Sequence, residues 1–302
     1  MSPAEARPDA APRPPPWRIA GSRRVSLSDG RAVNLRPVAP RDADLMAEFF
    51  GALTEMETYY FFPLDEARAR QLALDVEGDP AYRLIAVGDA QDVDRVLGYM
   101  FLEWREAVPV YGACLRSGVQ SAGLGRVMID HFLASAAASG VGQVRLTVHT
   151  DNWRALRIYQ RSGFRLTGEV VNEHQGVPQY RMEVDLSRPR QPIDEDVTVI
   201  PLGPVGVATV AARVQDALEA VRGTRPFLLD RPARADGKAV LVADLGRVTS
   251  PWSALTGPSA SEGGQADGWI VALDERHELV AGIGVAALEA AVRRYVAGLS
   301  LR

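Results

Sequence analysis

The chain has 302 residues, with 38 Asp and Glu against 34 Lys and Arg and a formal charge of -4; that balance excludes a nucleic-acid binder held by a broad basic face. It is long enough for two domains with cores of their own, and no apolar run approaches the ~18 residues of a membrane span. The single cysteine, Cys114, excludes an intrachain disulfide, and with no signal segment opening the chain the expected compartment is the reducing cytoplasm.

Residues 1–24 are rich in Pro and Ala (ARPDAAPRPPP), lack periodic apolar positions and are expected to be a disordered tail. RVSLSDGRAVNLRPV then alternates around Asp29-Gly30, the mark of a tight hairpin. Leu45, Met46, Phe49 and Phe50 predict a helix over 39–53, and Leu64, Ala67 and Leu74 a second over 64–76. Strands are expected in YRLIAVGD, RVLGYMFLEWR and VPVYGACLRSGV. The stretch VQSAGLGRVMIDHFLASAAASG opens on two glycines and continues as a helix with Ile129, Phe132, Leu133 and Ala136 on one face, closed by Gly140. VRLTVHT predicts a strand, NWRALRIYQRSGF a short helix stopped by Gly163, and FRLTGEVV with QYRMEVDL a closing hairpin.

SRPRQPIDED, residues 187–196, is polar with two prolines and is expected to be a linker. Beyond it, residues 197–302 read as a smaller α/β domain. Val207, Val210, Val214, Leu218 and Val221 form one helical stripe; KAVLVADL and GWIVALD are strand-like; Val285, Leu288, Val292, Tyr295, Val296 and Leu299 form a terminal stripe. GPSASEGGQADG, residues 257–268, is expected to be a mobile surface loop. Nothing in this domain names a function, and a protein partner bound through it and homo-oligomerisation both stay open.

A turn that leaves a strand and opens a helix presents unpaired backbone N–H groups reinforced by the helix dipole, and anions bind there. Glycine at 123 and 125 would let such a backbone close on a phosphate. Neither standard nucleotide loop fits: Arg126 stands where a triphosphate loop needs Lys followed by Ser or Thr, and Met128 where the dinucleotide fingerprint needs its third glycine.

The spacing that does fit is Q-x-x-G-x-G, here Gln120, Gly123 and Gly125. With LTVHTDNWRALRIYQRSGF further on, carrying Asn152, Ala155, Tyr159 and Gly163-Phe164 in order, the region from about 25 to 186 resembles the GNAT superfamily of acyl-CoA-dependent N-acetyltransferases. The opening DGRAVNLRPVAPRDADLMAEFF with LTEMETYYFF also looks like bacterial protein-lysine acetyltransferase domains. The resemblance implies an α/β fold with a mixed, mostly antiparallel sheet flanked by helices, and acetyl-CoA as cosubstrate. It implies that Gln120, Ser121, Ala122, Gly123, Leu124, Gly125 and Arg126 cradle the pyrophosphate, that Leu115 and Ser117 pair with the pantetheine arm, and that Asn152 and Ala155 lie along it. Tyr159 would sit near the sulfur and protonate the leaving thiolate.

The acceptor, a small-molecule amine or a protein lysine, needs a base. Domains of the protein-lysine type carry a Glu on the strand before the Gln; here that strand reads PVYGACL, with Val110 and Tyr111. Glu103 on the preceding strand is the substitute, and His149 at a strand end is a second candidate. The missing Glu equally suits a non-catalytic acyl-CoA sensor that signals through the C-terminal domain. Trp104 and Tyr59 to Phe62 either shape an acceptor pocket or fill the core. Cys114 reads as a small buried hydrophobe, and the four scattered histidines predict no metal site.

Overall fold

A computed structural model describes residues 21–61, 64–79, 81–88, 95–104, 108–120, 122–172, 175–202, 206–229, 237–244, 269–272, 276–282 and 285–299. The expected loop at 257–268, Ser121, Phe62 and the first twenty residues of the expected tail lie outside them. The chain divides into two units, one running to Leu146 and including Val184–Arg188, the other comprising Thr147–Glu183 and the residues from Pro189 onward.

The first unit begins with the hairpin announced by Asp29-Gly30. Strand β1 (Arg23–Ser26) pairs antiparallel with β2 (Ala32–Pro37), with Gly30 at φ 85 in the turn. Arg23 and Arg24, within the stretch expected to be tail, are therefore strand. β3 (Tyr82–Gly88), β4 (Val96–Glu103) and β5 (Val110–Leu115) add antiparallel in order, and β6 (Gln143–His149) joins β5 in parallel. The strands alternate between two covered faces. Ile85, Val87, Tyr99 and Cys114 pack with Met46, Phe49 and Phe50 of α1 (Ala43–Gly51) and with Ala69 and Ala73 of α3 (Glu66–Leu74). On the other face Phe132 of α4 (Leu124–Ala138) stacks on Tyr82 at 4.8 Å and meets the edge of Tyr111 at 5.6 Å.

One expectation needs correction here, and one helix was not foreseen. The buried stripe of α3 is Ala69 and Ala73, while Ala67 and Leu74 are exposed, because the helix starts at Glu66 and turns its small residues toward α1. A further helix, α2 (Glu55–Tyr60), precedes it. Its signal was present: Thr54 and Glu57 have capping-box spacing, and both reciprocal bonds form.

In the second unit α5 (Trp153–Arg161) ends at Gly163, φ 94, and the hairpin β7 (Arg165–Val171) and β8 (Pro178–Asp185) follows. β9 (Ile193–Leu202), α6 (Val207–Arg222), β10 (Arg225–Leu228), β11 (Lys238–Asp244), β12 (Trp269–Ala272), β13 (His277–Gly282) and α7 (Val285–Leu299) complete it. The first four residues of β9 fall in the stretch expected to be linker. The sheet order is β10-β9-β11-β13-β12, parallel except for β12. Pro226, which has no N–H for a ladder, lies in edge strand β10, where proline is tolerated.

Both α6 and α7 cover one face of this sheet, burying Val199, Val242 and Val280 under Val210, Val214, Leu288 and Val292. Val221, expected on the buried stripe, is 52% exposed; the helix ends one residue later and its last turn overhangs the sheet. No helix among the described residues is long and apolar enough to cross a membrane.

Phe132 is fully buried between two aromatic rings. Phe132→Ala is expected to destabilise the first unit by about 3–5 kcal/mol, read as a lowered denaturant midpoint with an unchanged slope.

Candidate active site

In the first unit the site residues gather along β5 and the turn that follows it. Arg116 N–H donates to Leu97 O at 3.0 Å, so in an antiparallel ladder the even-numbered residues of β5 turn their backbone toward β4. The backbone groups of Tyr111, Ala113 and Leu115 face the opposite edge. On that edge the pairing with β6 is Val110 with Arg145, made by Arg145 N–H donating to Pro109 O at 3.0 Å. No further β5–β6 pair forms among the described residues. Past Tyr111, at Ala113 and Leu115, the strand thus presents an edge that an extended ligand can join.

The turn beyond β5 is held by carbonyls and side chains. Arg116 is buried, donates to Val96 O at 2.9 Å and to Glu48 at 2.8 Å, and lies 5.4 Å from the ring of Phe49. Ser117 donates its backbone N–H and, at 2.9 Å, its hydroxyl to Glu57 Oε1. The Ser117 carbonyl accepts from Gln120 N–H at 3.2 Å. Gly118 O accepts from Arg31 at 2.8 Å and Ala122 O from Ser28 N–H at 3.0 Å, so the β1–β2 hairpin braces the same turn. Gly123 follows at φ 88 as the N-cap of α4, with no side chain capping the helix and nothing within 4 Å of where a Cβ would stand. Carbonyls are tied back, and the first N–H groups of a 15-residue helix open forward.

The residues expected to hold the cofactor differ in what they expose. Leu115 keeps its backbone on the open edge, whereas the N–H of Ser117 is taken by Glu57. Gln120 and Gly123 are exposed; Gly125 and Arg126 are half-buried in the first turn of α4, Arg126 paired with Asp130 at 2.7 Å. Ala122 and Leu124 are buried and can offer only backbone.

Glu57 is a site residue that the sequence reading missed. It is 7% exposed, and its carboxylate accepts from Thr54 N–H at 2.7 Å and Thr54 Oγ at 2.9 Å besides Ser117. Burial alone would raise its carboxyl, but the bonds from Thr54 and Ser117 outweigh it and hold it below the ordinary range. A carboxylate so filled with donors anchors the turn and is a poor base.

Glu103 ends β4 and stands directly across from Val110, on the same face of the sheet. That register puts a carboxylate beside the strand position where PVYGACL lacks one. Glu103 is half-buried, with the Arg83 guanidinium 4.0 Å away; Arg83 itself is bound to Asp79 at 2.6 Å and Tyr99 at 2.7 Å. Phe61 packs against the core with Phe50, Tyr99 and Phe101, while Tyr59 and Tyr60 meet edge to face nearer the surface. Cys114 is buried, and its thiol is pushed up to about 12 by burial and the nearby Glu57. A cavity lined by Trp104, Pro109, Val141, Gln143 and Asp185 lies at the start of β5, the end opposite the glycine turn.

In the second unit Asn152 is the N-cap of α5, its side chain accepting from Ala155 N–H at 3.2 Å. Tyr159 lies in the last turn of α5, with its ring 5.8 Å from Phe164, and burial pushes its phenol above the ordinary value. His149 is buried; burial lowers its imidazole, opposed by Asp151 and by a hydrogen bond with Gln175.

Residues 65–186 match the family model described as an acetyltransferase (GNAT) domain. This region is a GNAT acetyltransferase domain, a class that uses acetyl-CoA. Mycothiol acetyltransferase of Beutenbergia cavernae is 35% identical over 85 residues, which are 28% of this chain and 28% of that protein. Among solved structures, the GNAT domain of S. lividans PAT is 17% identical with a TM-score of 0.45, covering 54% of this chain and 96% of that one. A putative acetyltransferase, yncA, from Salmonella typhimurium, solved with acetyl-CoA, is 17% identical with a TM-score of 0.43, covering 53% and 97%.

The lowered pKa of Glu57 fixes a pH signature. Its stabilising share is present above the ordinary 4.5 and is lost as pH falls through the folded value. Glu57→Gln is therefore expected to lower stability near neutral pH and to converge with wild type in acid; equal offsets at pH 3 and 7 in denaturant titrations would contradict this.

Proposed function

We propose that this protein transfers the acetyl group of acetyl-CoA directly to a primary amine, on a small molecule or a protein lysine. The observation that carries the reading is the open edge of β5 running into the braced Gly123 turn. An extended pantetheine arm can take the place of a strand against Ala113 and Leu115 while the pyrophosphate meets the N–H groups that open α4. Gln120, Ser121, Ala122, Gly123, Leu124, Gly125 and Arg126 serve the phosphates, and Asn152 and Ala155 flank the arm.

From Leu115 back to Val110 the strand spans about 17 Å, so an arm laid along it brings the acyl end toward Val110 and Glu103. Glu103 takes the proton that the attacking amine must lose. Leu115 and its neighbours supply backbone N–H groups that polarise the carbonyl. Tyr159 donates its phenolic proton to the sulfur as the C–S bond breaks, and its raised pKa keeps that proton in place at neutral pH.

A second reading, an acyl-CoA sensor without turnover, is favoured by the strand PVYGACL, which carries no Glu, and by the Arg83 guanidinium 4.0 Å from Glu103, a partner that the carboxylate already has. Turnover separates the two.

The first test is calorimetric binding of acetyl-CoA to wild type and to Gly123→Trp, followed by CoA release against a panel of amines. Binding by wild type, its loss in the variant and CoA release with some amine are expected; no binding by wild type overturns the reading, and binding without release leaves the sensor. Tyr159→Phe is expected to lower kcat by about 10²–10⁴-fold with a smaller change in KM. Because burial raises the phenol, the wild-type rate is expected to show no alkaline loss below pH ~10 from this group.

A further inference from the structure

The residue after Tyr159 is a buried amide with an unusual set of partners. Gln160 is 3% exposed. Its Nε2 donates to Leu228 O at 2.9 Å, and its Oε1 accepts from Leu228 N–H at 2.8 Å. One side-chain amide thus meets both backbone groups of a single residue of β10, as a neighbouring strand would. Leu229 N–H turns the other way, to Val199 O of β9 at 3.2 Å, so Gln160 occupies the outer edge of β10.

The amide is itself held from behind. Gln215 of α6 donates to Gln160 Oε1 at 3.0 Å and to Pro226 O at 2.7 Å, and its own oxygen accepts from Arg225 at 2.6 Å. Arg225 is buried and paired with Glu219 and, at 2.6 Å, with Asp216. On either side of Gln160 the guanidiniums of Arg157 and Arg161 lie 5.5 and 5.4 Å from the ring of Phe227, and Arg161 also pairs with Glu195 of β9. Further along, Arg165 bonds Glu219 at 2.6 Å, and Glu169 accepts from Gly206 N–H at 2.6 Å and Thr209 N–H at 3.1 Å at the start of α6. One run of chain from Arg157 to Glu169 meets β9, β10 and α6 through buried or paired polar groups.

We propose that the segment from β9 to β10 is the seat that fixes α5, and that Gln160 is the positioning residue through which it sets Tyr159. This rests on the assignment of Tyr159 as the proton donor. A bond on both groups of Leu228 fixes the translation and rotation of the last turn of α5, and the adjacent phenol inherits that position. The C-terminal segment then acts in the acetyl transfer itself, with no substrate contact of its own. A displacement near 1 Å at a reacting group costs up to about 10²-fold in rate.

The test compares wild type with Gln160→Leu, which removes both bonds to Leu228, and with Gln215→Met, which leaves every residue of α5 unchanged. Acetyl-CoA binding sites are counted by calorimetry, kcat is expressed per site, and hydrogen exchange is followed in α5. Expected are a fall in kcat per site of about 10²-fold for Gln160→Leu, a smaller fall for Gln215→Met, little change in KM for acetyl-CoA, and faster exchange across α5 in both. An unchanged kcat per site in both variants overturns the proposal, as does lost activity that only tracks lost binding sites. If wild type neither binds nor transfers, the acetyltransferase reading fails instead, and unchanged α5 exchange in Gln160→Leu would still overturn the seat.

Discussion

A β-strand has two edges of backbone N–H and C=O groups, and leaving either dry and unpaired is costly. β5 satisfies one edge on β4 and, after Tyr111, keeps the other from β6. The rest of the first unit is arranged around that asymmetry. Arg116 is tied to α1, Ser117 to α2, and Gly118 and Ala122 to the first hairpin, so the chain leaves β5 along a fixed course, and the carbonyls of Ser117, Gly118 and Ala122 are already engaged. What remains are donors, and a ligand rich in acceptors meets them without first ordering the loop.

The second unit meets the same constraint in the opposite way. The outer edge of β10 is closed by the side chain of Gln160, backed by Gln215 and Arg225. Both amides of that network are bonded at oxygen and nitrogen, while Arg225 Nε is buried without a hydrogen bond, and the bonded groups together specify one arrangement. The open edge of β5 therefore stands out as the exception.

The fold of the first unit was legible because its signals are local. Asp29-Gly30 gives the first turn, Gly140 takes positive φ at a helix end, and apolar runs bounded by turn residues give β3 to β5. The glycine turn and Tyr159 stood out for the same reason. Glu57 escaped because its partner Ser117 is sixty positions away, and a pairing across that distance has no period to detect. β9 begins in an acidic, proline-flanked stretch, and β10 is four residues with a proline; their strand character comes from the parallel ladder and the helices above it, a tertiary override of weak local preference. Gln160 reads in sequence as one polar residue on an amphipathic helix, and only the fold brings Leu228 to it.

Cys114 lies on the strand that would carry the thioester, and it is the single sulfhydryl of the chain. Its side chain turns into the core among Phe49, Phe50 and Tyr99, and its thiol titrates only near 12. A neutral, enclosed thiol cannot hold the acyl group between two half-reactions. An acyl-cysteine is thus excluded as a relay, and the direct transfer proposed above binds donor and acceptor at the same time. Steady-state rates would give intersecting double-reciprocal lines, and CoA would never leave before the acceptor arrives.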